Sequence, residues 1–114
     1  MASEETRISD EIRLALSDSC VLARSPAGFF YQGKRVRNTL TNLRPTKVLI
    51  PGWPDLTGFR RSDGRAVFIE VKTAKGKPSP EQLKFIELAK RSGALAGIAR
   101  SVQDAIEIVE GTLE

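Results

Sequence analysis

The chain has 114 residues, 40% of them hydrophobic and 28% charged, a balance that suits one soluble globular domain over residues 1–114 with a modest core. It carries one cysteine, Cys20, and no histidine, which excludes an intrachain disulfide, a histidine general base and the usual zinc shell. Any chemistry therefore falls to carboxylates, lysine and an oxygen-preferring cation.

The formal net charge of +4 is unevenly spread. Between Ser19 and Pro54 stand six basic residues (Arg24, Lys34, Arg35, Arg37, Arg44 and Lys47) and no acid, whereas the first eighteen residues hold five acids against two arginines. A basic central segment suits a polyanion such as DNA or RNA, and equally a solvated basic loop. No apolar run reaches the ~18 residues of a membrane span. The opening MASEETRISD is polar and does not read as a signal peptide. A cytoplasmic location with no membrane partner is the expectation.

Residues 4–17 predict a helix, with Ile8, Ile12, Ala15 and Leu16 on one face. Residues 19–47 are irregular, with short strands expected around Val21–Arg24 and Phe29–Gln32, and Val48–Ile50 reads as a strand end. PGWP at 51–54 is a turn. Asp55–Arg60 and Ala66–Lys72 predict two strands joined through Asp63-Gly64. Ser79-Pro80-Glu81-Gln82 starts a helix, with Ser79 as cap, and Gly93 stops it. Leu95–Arg100 reads as a strand, and Ser101 caps a last helix through Val102 to Val109. The order αβββαβα describes an α/β fold, a helix and then a central mixed β-sheet flanked by helices. The 66–72 strand is apolar on both faces, as a central strand covered on both sides would be.

Yet that strand, AVFIEVK, ends in Glu70 and Lys72. Alternation points both to one face. If the hairpin pairs as expected, Asp55 lies near them, so two carboxylates converge with an ammonium. The carboxylates suit Mg²⁺, with the main-chain carbonyl of Val71 as a further oxygen. The ammonium suits a phosphate that gains charge. The plain alternative is a buried carboxylate–lysine ion pair, although three charged groups at the end of a core hairpin are costly without a ligand.

Pro54-Asp55…Glu70-Val71-Lys72 resembles the PD-(D/E)xK signature of restriction-endonuclease-like nucleases. Over residues 52–110, the runs GWPDLTGF, FIEVKTAKGKPSPEQ and SGALAGIARSVQDAIEIV resemble small virus-type members of the VRR-NUC (virus-type replication-repair nuclease) family. The resemblance implies a restriction-endonuclease-like core and a metal-dependent phosphodiesterase. It implies Asp55 and Glu70 as Mg²⁺ or Mn²⁺ ligands, Lys72 as catalytic lysine, Gln82 at the site, and a further acid on the first helix. By the wheel, Glu5 projects into the apolar face and Glu11 lies at its edge. Glu5 is therefore the expected acid and Glu11 the reserve, although an acid in a first turn also suits the helix dipole. Gln82 is also the last residue of a capping box, and the two roles are compatible.

The resemblance further implies branched DNA, four-way junctions in particular, a homodimer, a phage or prophage setting, and no small-molecule cofactor. Lys34, Arg35, Arg37 and Arg44 would then follow the phosphate backbone, and Lys75 and Lys77 would contact DNA near the cut. Trp53 either stacks on a base or packs beneath its loop. Three rivals remain: a flap- or nick-type nuclease inside a replication or packaging assembly, a non-catalytic nucleic-acid-binding module, and a metal-stabilised structural subunit.

Overall fold

The structure is a computed structural model that describes residues 3–25, 29–36, 39–47 and 50–112; within 26–49 it gives strand placement and pairing without side chains. In chain order the elements are α1 (Glu4–Ala15), β1 (Cys20–Arg24), β2 (Phe29–Val36), β3 (Thr39–Lys47), β4 (Leu56–Arg60), β5 (Ala66–Val71), α2 (Pro80–Arg91), β6 (Leu95–Ala99) and α3 (Val102–Glu110). Four strands form one sheet in the order β1-β4-β5-β6, antiparallel except for the parallel β5–β6 pair. The αβββαβα order is therefore present. The hairpin β2–β3 is inserted between β1 and β4 as a separate antiparallel sheet, longer than the short strand expected at Phe29–Gln32.

Each helix begins where its capping chemistry dictates. Ser3 Oγ accepts from the N–H of Thr6 and opens α1, whose first turn carries Glu4 and Glu5 against the helix dipole. Ser79 and Gln82 form a reciprocal capping box around Pro80 at the start of α2. Ser101 caps α3, and Gly111, at φ +77°, ends it in the left-handed conformation that glycine adopts without strain.

α1 and α3 cover one face of the sheet. There Ile8, Ile12, Leu16, Ala105, Ile108 and Val109 pack on Val67, Ile69 and Val71 of β5. α2 covers the other face, where Ile86 and Ala89 pack with Ala96 and Phe68. β5 is thus sandwiched, as its two apolar faces require.

The element ends differ from expectation for local reasons. α1 stops at Ala15, not Ser17, because Ser17 Oγ takes the carbonyl of Leu14 and closes the turn. β4 begins at Leu56, although the Asp55 carbonyl still accepts from the N–H of Ser25 at 2.6 Å just past β1. β5 ends at Val71, although the N–H of Lys72 still donates to the Ala99 carbonyl at 3.0 Å. β6 ends at Ala99 because the Arg100 N–H turns to the Asp104 carboxylate at 2.9 Å. The expected strand at Val48–Ile50 does not form at Ile50, which is exposed; residues 48–49 lie outside the described residues.

The β4–β5 connection spans residues 61–65. Gly64 takes φ +72°, and the Asp63 carboxylate receives both the Arg60 guanidinium and the Arg65 N–H. The Arg60 hydrogen bonds hold Asp63 down at about 2, with the Arg65 N–H adding to them.

Candidate active site

The polar end of β5 is built by three neighbouring segments. Pro54 and Leu56 are fully buried, so the half-buried Asp55 between them is held by its flanks. Its carbonyl reaches β1 through Ser25, and its Oδ2 accepts from the Val71 N–H at 2.9 Å. Antiparallel pairing of Leu56 with Ile69 brings this about, because it carries the residue before β4 alongside the last residues of β5.

Glu70 shares the Phe68 face of β5 by alternation, yet it is only 2% exposed, and its Oε2 has no hydrogen-bond partner among the described residues. Burial pushes its carboxyl up to about 9. The neighbouring Asp55 adds to the rise, Lys72 opposes it, and the charge of Glu5 adds a smaller upward push. Glu70 therefore favours its protonated form at neutral pH in the metal-free protein.

Lys72, half-buried, follows directly. Among the described residues the ion pairs are Arg7 with Glu4 and Glu11, and Arg60 with Asp63. None joins Lys72 to Asp55 or Glu70, so a buried salt bridge does not account for these charges. Val71 is split between two roles: its side chain lies in the core, and its main chain meets Asp55.

Glu5 lies on α1 close enough for its charge to act on Glu70, whereas Glu11 is exposed and paired with Arg7 at 3.0 Å. Glu5 does not complete a ready-made cage, however. Among the described residues no three Asp, Glu, Cys or His side chains gather closely enough to hold a metal ion. Two carboxylates with main-chain oxygens nonetheless form a donor set that fits a cation retaining waters or substrate phosphate, as Mg²⁺ does. The unpartnered Glu70 Oε2 is the feature that such an ion would satisfy.

Gln82 lies in the first turn of α2, on the helix face that carries Phe85, Ile86 and Ala89 toward the sheet. Its Oε1 accepts from the Ser79 N–H at 2.8 Å, so the capping role is occupied. Trp53 packs: its ring meets Phe85 and Phe68 edge-on at 5.0 and 5.6 Å, and its Nε1 donates to Ser25 Oγ at 3.2 Å. Ser25 Oγ also pairs with Thr57 Oγ1 at 3.0 Å. Ser25 thereby ties together the residues flanking Asp55, a role with no signal in the sequence. Gly52 explains the tightness of this loop, because a Cβ there would stand 2.3 Å from the Glu81 carbonyl of α2.

Lys75 and Lys77 are exposed just past the site. Arg37 lies outside the described residues, as do the side chains of Lys34, Arg35 and Arg44, whose main chain runs in β2 and β3.

A family model described as the VRR-NUC domain matches residues 33–103. That span holds Asp55, Glu70, Lys72 and Gln82, and leaves Glu5 outside. A solved structure titled "VRR_NUC domain" superposes with a TM-score of 0.64 at 19% identity, covering 98% of this chain and 100% of that one. It shares the fold, an α/β arrangement consistent with a restriction-endonuclease-like core.

Proposed function

This chain belongs to the VRR-NUC domain family, a nuclease-type family, and from that premise we propose that it is a divalent-metal-dependent DNA endonuclease. The observation that carries the reading is Glu70, a carboxyl buried with an unpartnered oxygen beside Asp55 at the strand end that also delivers Lys72. A protein that merely binds nucleic acid has no use for this arrangement, which costs folding free energy.

Asp55 and Glu70, with the Val71 carbonyl and Glu5 nearby, would hold Mg²⁺ or Mn²⁺. When bound, such an ion acts as a Lewis acid on the phosphate and raises the acidity of water. Lys72 supplies a positive charge where the scissile phosphate gains negative charge, and it orients the attacking water. Gln82 orients the same water or phosphate through the part of its amide not used in the cap. Asp55 Oδ2 accepts from the Val71 N–H, and its other oxygen would serve the ion. Lys75 and Lys77 attract the backbone next to the cut, and the basic segment with Lys34, Arg35, Arg37 and Arg44 extends that attraction.

The preferred substrate is branched DNA, four-way junctions in particular, cut by a homodimer that presents two symmetric sites. This step rests on family analogy. The reading carries with it a cytoplasmic setting. Among the described residues no helix is long and apolar enough to cross a membrane.

The test is incubation of the pure protein with four-way junction, flap, nicked and linear duplex DNA in Mg²⁺, Mn²⁺ or EDTA, beside Lys72→Ala. Metal-dependent cutting that Lys72→Ala abolishes is the expected result. Cutting that survives both EDTA and Lys72→Ala would sink the mechanism. Binding without cutting in either metal would favour the binding module. Equal cutting of linear and branched DNA would remove the junction preference and leave the nuclease. Light scattering that gives a monomer mass at micromolar concentration would count against the dimer.

A further inference from the structure

We infer that Arg100 is a positioning residue of this site: its guanidinium grips the turn at residues 73–76, and that turn in turn sets the Lys72 side chain. The role given to Lys72 rests on the nuclease reading above.

Arg100 lies one residue beyond β6, outside the motif. Its Nη1 donates to the carbonyls of Thr73 at 2.5 Å, Gly76 at 2.7 Å and Ala74 at 3.4 Å. Three carbonyl oxygens of one turn thus converge on one cationic nitrogen, and such charge-assisted bonds are stronger than neutral ones. The turn is also closed on itself, since the Gly76 N–H donates to the Thr73 carbonyl at 3.1 Å and to Thr73 Oγ1 at 3.2 Å.

The gripped turn lies beside Lys72. A Cβ on Gly76 would stand 3.5 Å from Lys72 Cδ, so the side of Gly76 that carries no side chain faces the aliphatic stem of the lysine. On its other side, the Lys72 N–H donates to the carbonyl of Ala99, the residue before Arg100. Lys72 is therefore fixed at its main chain by β6, and its stem runs beside the turn that Arg100 holds. Arg100 is itself aimed from behind. Its N–H donates to Asp104 Oδ2, and Asp104 is fixed in the first turn of α3 by the Ser101 cap. The same turn carries Lys75 and precedes Lys77. A flexible lysine stem has many rotamers, and a clamp that restricts them places the ammonium before DNA arrives.

A residue that only steadied a surface turn would change melting temperature and leave the chemical step alone. Positioning predicts a different pattern. Arg100→Ala should lower kcat on cleavable DNA about 10- to 100-fold and leave KM less affected. Arg100→Lys, whose ammonium can still donate to the carbonyls, should recover part of the loss. Arg91→Ala, which removes the same charge from the exposed last turn of α2, should match wild type in kcat. In metal-free protein, trypsin should nick after Lys75, inside the gripped turn, faster in Arg100→Ala than in wild type or Arg91→Ala.

Wild-type kcat in Arg100→Ala, or unchanged nicking at Lys75, would overturn the inference. If Arg100→Ala fails to fold, Arg100→Gln and Arg100→Lys carry the test, and equal kcat in the two would overturn it. A wild-type protein that cuts no DNA would overturn the nuclease reading and this role together. That result differs from failure of the inference alone, in which wild type and Arg100→Ala cut equally fast.

Discussion

The Asp55 carboxylate accepts the main-chain N–H of Val71 at 2.9 Å. The two halves of the acidic motif are thus joined by one hydrogen bond and are not merely near each other. This separates the structural from the functional work of Asp55. Asp55→Asn retains an oxygen for the Val71 N–H and removes the charge. Asp55→Ala removes both. Both variants should lose DNA cleavage by at least about 100-fold, the scale of a lost electrostatic contribution to the transition state. Asp55→Ala alone should also lose about 1–2 kcal/mol of stability, from the amide left without its partner. Cleavage assays with urea unfolding of both variants check this, and equal stability of the two would contradict it.

Glu70 makes the opposite prediction for stability. Its folded-state pKa is raised to about 9 from an ordinary 4.5, chiefly by burial and then by Asp55. Its contribution is therefore fully present below pH 4.5 and is lost as pH rises toward 9, because the unfolded chain releases the proton that the native carboxyl keeps. Metal-free protein should melt at progressively lower temperature across this window. Glu70→Gln should flatten that slope and stabilise the metal-free protein at pH 8 by about 1–3 kcal/mol, while abolishing cleavage. Mg²⁺ should raise the melting temperature of wild type at pH 8 and not that of Glu70→Gln. Melting scans in EDTA and in Mg²⁺ between pH 5 and 9 check both statements. Asp63, held low by Arg60, acts at the other end: its contribution is present above 3.8 and is lost as pH falls through about 2.

Much of this site was legible because strand alternation and hairpin register are strict. Once Asp55–Arg60 and Ala66–Lys72 read as a hairpin, the meeting of Asp55 with the Glu70 end followed from period and pairing. The caps at Ser79 and Ser101 were legible for a similar reason, since few residues satisfy a helix start. Arg100 and Ser25 were not legible. Arg100 acts across 24 to 27 residues on main-chain carbonyls, which carry no sequence identity. Ser25 joins Trp53 and Thr57 from 28 and 32 residues away. The inserted β2–β3 hairpin was only half read, because Gly, Pro and basic residues in 24–47 blur the alternation of its strands.

Trp53 shows how packing decides between two roles that sequence left open. With Phe68 and Phe85, which meet each other edge-on at 5.3 Å, it forms a closed aromatic triangle between β5 and α2. Trp53→Ala should cost about 3 kcal/mol, and Trp53→Phe clearly less, with DNA affinity nearly unchanged in Trp53→Phe. Urea unfolding followed by circular dichroism is the appropriate measurement, since Trp53 is the only tryptophan. A Trp53→Phe variant of native stability with much weakened DNA binding would return the residue to base stacking.

Lys75 and Lys77 are exposed; Lys75 lies in the turn gripped by Arg100 and Lys77 directly follows it. If both contact phosphates, each contributes through release of condensed counterions, so its loss should change the salt dependence of binding and not only its strength. On duplex arms the slope of log affinity against log salt should fall by about 0.9 per lost contact. The Lys75→Ala/Lys77→Ala double variant should therefore bind with a slope lower by about 1.8, in the metal-free state, and its thermal stability should stay near wild type, as expected of exposed side chains. Lys84→Ala, an exposed substitution on α2, removes one charge away from the proposed path and should leave the slope close to wild type. A double variant with an unchanged slope would show that DNA reaches Glu70 and Lys72 from another side of the sheet.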